Sequence, residues 1–244
     1  MKIGLFGGSF DPPHRGHLAL ARLARQRFGL DRVLFAPVGS QPLKRDRPRP
    51  PGSPAHSRGG TEAGFADRLA MTRLAIEGEP GMEISLIDAP RDDGRPNYTV
   101  DSIRTLRSDL PPEDQIFCLM GADSFLSIGR WHRAADLLVA CDFVVAARPG
   151  FDLNRLTADL PAGISVTACD ASEPEGLVRC LRDQSGREAR LHLLRNLAEE
   201  ASASAIRAAL QQGSDAASVI DPCVADYIRD HRLYRPVDRQ DATS

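Results

Sequence analysis

Between residues 7 and 17 the chain reads Gly-Gly-Ser-Phe-Asp-Pro-Pro-His-Arg-Gly-His, a string that holds the side chains and the freedom a phosphate chemistry needs. Gly7 and Gly8, ahead of Ser9 and Phe10, let the backbone approach a ligand closely. His14 and His17 stand three apart, so on a first helical turn they share a face. Two imidazoles beside a helix N-terminus can donate hydrogen bonds to a phosphate that gains charge at its transition state. Gly16 between them carries no side chain that could block access. Further on, Pro42-Leu43-Lys44 offers a lysine that can meet a phosphate as a point charge, although Arg45 and Arg47 beside it also fit a merely basic loop.

The elements that must position these groups can be read from periodicity. Residues 2–6 form a short apolar run ending in two glycines, apolar residues recur at helical spacing from Gly16 to Phe28, and Arg32–Pro37 is a second run. Strand, helix and strand of this length predict a right-handed crossover with parallel strands. From Gln41 to Gly64 proline, glycine and arginine dominate, which predicts a mobile loop, with residues 46–64 as an insertion. Helical spacing returns over Phe65–Glu77, alternation over 82–87 predicts a strand, and Thr99 is placed to cap a helix over 100–108 with Asp101 in its first turn. Residues 115–121 and 142–147 read as buried strands, 151–188 show little pattern, 191–197 read as a strand, and 203–211 and 222–230 as helices. The expectation is one α/β domain over residues 1–235, a Rossmann-like, mainly parallel sheet with helices on both faces, a C-terminal helical part over 200–235 and a disordered tail over 236–244.

With 244 residues, 42% hydrophobic and 26% charged, the chain has the composition of an ordinary globular protein. Its formal charge of −2 provides no strong field for nucleic acid or an anionic membrane, so any phosphate must be met locally. Only Lys2 and Lys44 are lysines. The other basic residues are arginine, as a coding bias would give. Five widely spaced cysteines, Cys118, Cys141, Cys169, Cys180 and Cys223, with no C-x-x-C pair, argue against a disulfide framework or a zinc site. No apolar run approaches the roughly 20 residues of a membrane span, and the N-terminus lacks a signal peptide's apolar stretch, which predicts a cytoplasmic protein.

The string from Gly7 to His17 resembles the signature of the nucleotidyltransferases with an H-x-G-H motif, which move a nucleotidyl group from a nucleoside triphosphate and expel pyrophosphate. Tyr98-Thr99, then Gly121-Ala122-Asp123-Ser124 and Trp131, resemble one branch of them, the nicotinate-mononucleotide adenylyltransferases. Smaller matches are Arg68 with Met71, Arg148-Pro149-Gly150, and Tyr227-Ile228 with Leu233-Tyr234. Leu43 replaces a histidine usual in that branch, and in Ser202-Ala203-Ser204-Ala205-Ile206-Arg207 alanines at 201 and 203 replace an isoleucine and a serine. The resemblance implies a nucleotidyltransferase-type fold and catalysis by His14 and His17. It implies ATP held by Gly7, Gly8, Ser9, Phe10, the two histidines, Gly121, Asp123, Ser204 and Arg207, with the mononucleotide met by Lys44, Tyr98, Thr99, Trp131 and Arg148. Mg²⁺ would accompany ATP, with no metal site of the protein's own.

Physically, Asp123 can accept hydrogen bonds from ribose hydroxyls or simply cap a helix, and Trp131 can stack a pyridine ring or fill the core. A helix end after Thr99 favours a carboxylate, hence nicotinate over nicotinamide. The expected partners are ATP and nicotinate mononucleotide, with no nucleic acid or membrane, and a homo-oligomer is allowed. Nicotinamide mononucleotide or phosphopantetheine as acceptor, a non-catalytic nucleotide-binding regulator, and an RNA-binding module using the arginines of residues 44–58 stand as alternatives.

Overall fold

The computed structural model describes residues 1–40, 61–147, 153–169, 177–195, 202–214 and 218–234. The first unit is the one the pattern predicts. Strand β1 (Lys2–Gly8) runs into helix α1 (Arg15–Phe28), which returns to β2 (Arg32–Pro37), parallel to β1. Helix α1 stops at Gly29, whose φ of 62° a residue without Cβ adopts at no steric cost, and the Leu30 amide closes on the Arg25 carbonyl at 3.0 Å. Next along the chain are α2 (Phe65–Ile76), β3 (Met82–Ile84), α3 (Thr99–Ser108), β4 (Gln115–Gly121), the single turn α4 (Ala122–Phe125), α5 (Ala134–Leu138) and β5 (Asp142–Ala146). Strands β6 (Ser165–Ala168), β7 (Leu177–Arg182) and β8 (Glu188–Leu194) precede α6 (Ala203–Gln211) and α7 (Pro222–Asp230).

All eight strands form one sheet in the order β3-β2-β1-β4-β5-β8-β7-β6. Pairing is parallel from β3 across to β8, and antiparallel for β8 with β7 and β7 with β6. The period-2 alternation of strands divides the core. Ile3, Leu5, Ile116, Cys118 and Met120 pack with residues of α3, α4 and α5, whereas Phe6, Phe117 and Leu119 pack with Leu18, Ala21 and Ala24 of α1. A third apolar cluster joins α2, α6 and α7 through Met71, Ile206, Val224 and Ile228. No helix among the described residues is long and apolar enough to cross a membrane.

The sheet order decides where a ligand can go. From β1 the chain passes to β2 on one side and later enters β4 on the other, so the crossovers diverge between β1 and β4. A crevice opens outside the carboxyl ends of those two strands.

Several expectations need correction. The glycines at 7 and 8 belong to β1 and pair with Ala36 and Pro37. Tyr98 is the N-cap residue of α3, and Thr99 is its first helical residue. Strand β3 ends at Ile84, because a turn closed by Ala89 N–H on the Leu86 carbonyl comes next, and β8 begins three residues earlier than predicted. Residues 61–64 are not a loose loop. Thr61 and Ala63 are buried, and the amides of Glu62 and Ala63 donate to the Asp11 carboxylate. Residues 41–60 and 235–244, where a mobile loop and a tail are expected, lie outside the described residues. Cys169 and Cys180 form a disulfide, overturning the expectation of unpaired cysteines. The antiparallel pairing of β6 with β7, which sets Thr167 opposite Cys180, brings them together across the hairpin.

Candidate active site

The crevice at the ends of β1 and β4 is a cavity of about 850 Å³. Every expected site residue that falls in the described chain lines it. Gly7, Gly8, Ser9, Phe10, His14 and His17 come from the β1–α1 turn, Tyr98 and Thr99 from the start of α3, Gly121, Asp123 and Trp131 from β4 and the short helical segment after it, and Ser204 with Arg207 from α6. Lys44 and Arg148 lie outside the described residues.

The β1–α1 turn is shaped by Phe10. It adopts φ 46°, is 1% exposed, and turns its ring beneath Gly8, where a Cβ would come within 3.1 Å of it. Phe6 at 5.5 Å and Phe35 at 5.6 Å between ring centroids complete the aromatic floor. His17 rests on this floor, 5.0 Å from Phe10, and stacks on His14 with centroids 3.7 Å apart. His14 caps α1 from outside its first turn, so the two rings meet as N-cap and third helical residue.

The His14 amide donates to His17 Nδ1 at 3.1 Å. An amide only donates, so Nδ1 carries the lone pair, and the proton of the neutral ring is on Nε2. Burial, and then the neighbouring His14, hold the His17 imidazole well below its ordinary value of 6.5. At neutral pH it is an uncharged donor through Nε2–H.

Around this turn the groups are held by contacts that motif reading did not reveal. Asp11, 3% exposed, accepts from the Glu62 and Ala63 amides and from the Tyr234 hydroxyl at 2.7 Å. Burial, and then the Asp11 charge, push the Tyr234 phenol well above 10. Arg68, 1% exposed, donates to the carbonyls of Ala63, Ser9 and Val38, and so ties α2 to the ends of β1 and β2. Burial lowers its pKa, an effect eased by Asp11 and Tyr234. Arg207 donates through Nε to Glu62 at 2.8 Å and through Nη1 to the Asp11 carbonyl at 2.7 Å.

The far wall is built on α3 and β4. Asp88 is 5% exposed, accepts from the Ser102 hydroxyl of α3, and sets Oδ2 where a Cβ on Gly7 would lie 3.3 Å away. Burial pushes its carboxyl up from 3.8 to about 6, partly countered by Ser102. Asn97 ties this wall to β2's end by accepting from the Ser40 amide and donating to the Ala89 carbonyl. Tyr98 stacks on His132 with centroids 4.1 Å apart. Gly121 opens α4 with nothing within 4 Å of where its Cβ would be, so the cavity floor stays clear. Asp123 is the second residue of α4 rather than its cap. The Trp131 indole N–H donates to Ser127 Oγ at 3.0 Å, which fixes a half-buried ring in the cavity wall.

Asp88, Glu62, Asn97 and His132 carry no motif, and only the end of a strand or the edge of a loop marks them. No group of three or more His, Cys, Asp or Glu side chains among the described residues is gathered to hold a metal ion. The cavity is lined by three imidazoles, His14, His17 and His132, and two guanidiniums, Arg130 and Arg207, beside the carboxylates of Asp11, Asp88 and Asp123, and the starts of α1, α3 and α6 open onto it, where anions can be met.

This fold and this lining define a nucleotidyltransferase. Residues 5–209 match the model of the cytidylyltransferase-like family, and the chain belongs to it. Among curated relatives, the "probable nicotinate-nucleotide adenylyltransferase" of Laribacter hongkongensis is 39% identical over 237 residues, covering 96% of this chain and 94% of its own. Its namesake in Pelobacter propionicus is 36% identical, covering 96% of this chain and 98% of its own. Within the wider family, then, this chain is a member of the nicotinate-nucleotide adenylyltransferases. The fold is shared with the Plasmodium falciparum nicotinic acid mononucleotide adenylyltransferase complexed with NaAD, at TM-score 0.64 and 17% identity, over 96% of this chain and 97% of that one.

Proposed function

We propose that the protein joins ATP and nicotinate mononucleotide to give nicotinate adenine dinucleotide and pyrophosphate, a step of NAD biosynthesis. The observation that carries this reading is the stacked His14–His17 pair at the start of α1, inside a cavity that also holds Tyr98, Thr99, Asp123, Trp131 and Arg207. The substrate assignment is supported by the names of relatives that match over nearly the whole chain.

In the proposed reaction a 5′-phosphate oxygen of the mononucleotide attacks the α-phosphorus of ATP in line. A new P–O bond forms as the bond from that phosphorus to the β-phosphate bridge breaks, and pyrophosphate leaves with the electron pair. The attacking phosphate is already ionised at neutral pH, so no side chain need act as a base. The protein's contribution is positioning and charge stabilisation. His17 donates Nε2–H to the charge growing on the phosphates, and its uncharged state spares the fold a buried cation. His14 lies beside it on the same phosphates. Ser204 and Arg207 hold the triphosphate, Gly121 and Asp123 the adenosine ribose, and Trp131 and Thr99 the nicotinate ring and its carboxylate. Mg²⁺ accompanying ATP would supply positive charge to the phosphates, beside the donors of His14, His17 and Arg207. A cytoplasmic location belongs to the same reading.

The test is pyrophosphate release with ATP and Mg²⁺, comparing nicotinate mononucleotide, nicotinamide mononucleotide and phosphopantetheine as acceptors. A strong preference for the first is expected. Preference for another acceptor overturns the substrate assignment, and nucleotide binding without release under any acceptor overturns the catalytic reading.

A further inference from the structure

We propose that Glu62 is a positioning residue for ATP, whose carboxylate holds the Arg207 guanidinium so that two of its N–H bonds are left to grip the triphosphate. This rests on the reading that Arg207 contacts the phosphates of ATP.

A guanidinium carries five N–H donors. In the structure Nε donates to Glu62 Oε1 at 2.8 Å, one hydrogen of Nη1 to the Asp11 carbonyl at 2.7 Å, and one of Nη2 to Ser204 Oγ at 3.4 Å. One N–H on each terminal nitrogen remains without a hydrogen bond, with Nη1 also 3.8 Å from Asp11 Oδ2, on a side chain that lines the cavity and is 18% exposed. Two parallel N–H bonds are what a phosphate takes from an arginine.

Glu62 is well anchored for such a task. Its Oε2 accepts from Gln211 Nε2 at 3.0 Å, one helical turn beyond Arg207 on α6, and its own amide donates to Asp11 Oδ2 at 2.8 Å. It therefore clamps α6 to the turn that carries His14 and His17. An arginine side chain free to rotate surrenders much rotamer freedom on binding, and a guanidinium already fixed does not.

Charge alone predicts the reverse. A carboxylate beside a triphosphate repels it, and its removal should tighten ATP. The two accounts differ in sign, which makes the experiment decisive.

The experiment measures the Kd of Mg·ATP by calorimetry without acceptor, and the KM of each substrate in the pyrophosphate assay, for Glu62→Ala, Glu62→Gln and Arg207→Ala. For Glu62→Ala, Kd and KM for ATP should rise about tenfold, the loss of one charge-assisted hydrogen bond and its restraint, with the mononucleotide KM and the melting temperature near wild type. Glu62→Gln, which keeps an acceptor for Nε, should stay within about twofold of wild type. Tighter or unchanged ATP binding in Glu62→Ala, equal loss for both substrates, or a Glu62→Gln as poor as alanine would each overturn the proposal. Should Glu62→Ala melt below the assay temperature, Glu62→Asp takes its place, since it keeps the charge but falls one methylene short of Arg207. Arg207→Ala separates the two layers: unchanged ATP affinity there refutes the contact between Arg207 and the phosphates, whereas a loss there with none in Glu62→Ala refutes only the positioning role.

Discussion

Replacing Asp88 by Asn should stabilise the protein at pH 8 and destabilise it by about 1 kcal/mol at pH 4. The carboxyl is 5% exposed, with one hydrogen bond from Ser102, and burial raises it from 3.8 to about 6. Between those values the folded state holds a proton that the unfolded chain has released, so stability falls as pH rises through the window and is level above it. At ~1.4 kcal/mol for each pH unit the interval corresponds to about 3 kcal/mol lost by pH 7. An asparagine escapes that loss while its oxygen still accepts from Ser102, although burying its amide returns about 1–2 kcal/mol. The net gain at pH 8 is about 1–2 kcal/mol, or a melting temperature higher by about 3–6 °C for a chain of this size. Urea unfolding of both proteins at half-unit steps from pH 4 to 8 measures it. A difference that stays constant across the range, or a variant less stable at pH 8, would refute the account of a buried charge.

His17→Ala should lower turnover by about 10²–10³ with the fold intact, the usual loss for a transition-state donor; turnover equal to wild type would remove His17 from the chemistry. Because folding lowers the His17 pKa, the stability this group confers is present above about 6.5 and is lost as pH falls below it. A wild-type minus His17→Ala stability difference that grew on acidification would contradict that. Arg68→Lys should destabilise by about 2 kcal/mol or more, since an ammonium cannot span the Ser9, Val38 and Ala63 carbonyls at once; an unchanged melting curve would show the three-way grip to be dispensable. Trp131→Ala should raise the KM for the mononucleotide and leave that for ATP alone; the opposite pattern would reassign the indole.

The parts of the fold legible in the sequence are those where local pattern and tertiary role agree. Residues 2–37 announce strand, helix and strand because one periodicity holds through each element, and 203–211 and 222–230 read as helices with their observed bounds. The antiparallel β6 stayed hidden because it is largely exposed and shows no alternation to read. The same hairpin hid the Cys169–Cys180 pairing. In the site, glycine and histidine spacing brought out the turn over residues 7–17, and the family resemblance brought out Tyr98, Thr99, Gly121, Asp123, Trp131, Ser204 and Arg207. The contacts that hold them did not show, since Arg68 bonds to main-chain carbonyls and Asp11 to main-chain amides, contacts whose other half has no side-chain identity.

The hydrogen bond from Tyr234 to Asp11 joins residues 223 apart in the chain. On a ribosome the β1–α1 turn emerges 223 residues before Tyr234, one of the partners that fix its aspartate. At about 5–20 residues per second the turn waits some 10–45 s for its final contact. A polypeptide released before Tyr234 is made carries every residue of the first motif and lacks one of the three bonds that secure Asp11. Until then the hydrogen bonds that hold the Asp11 carboxylate are those from the main-chain amides of Glu62 and Ala63.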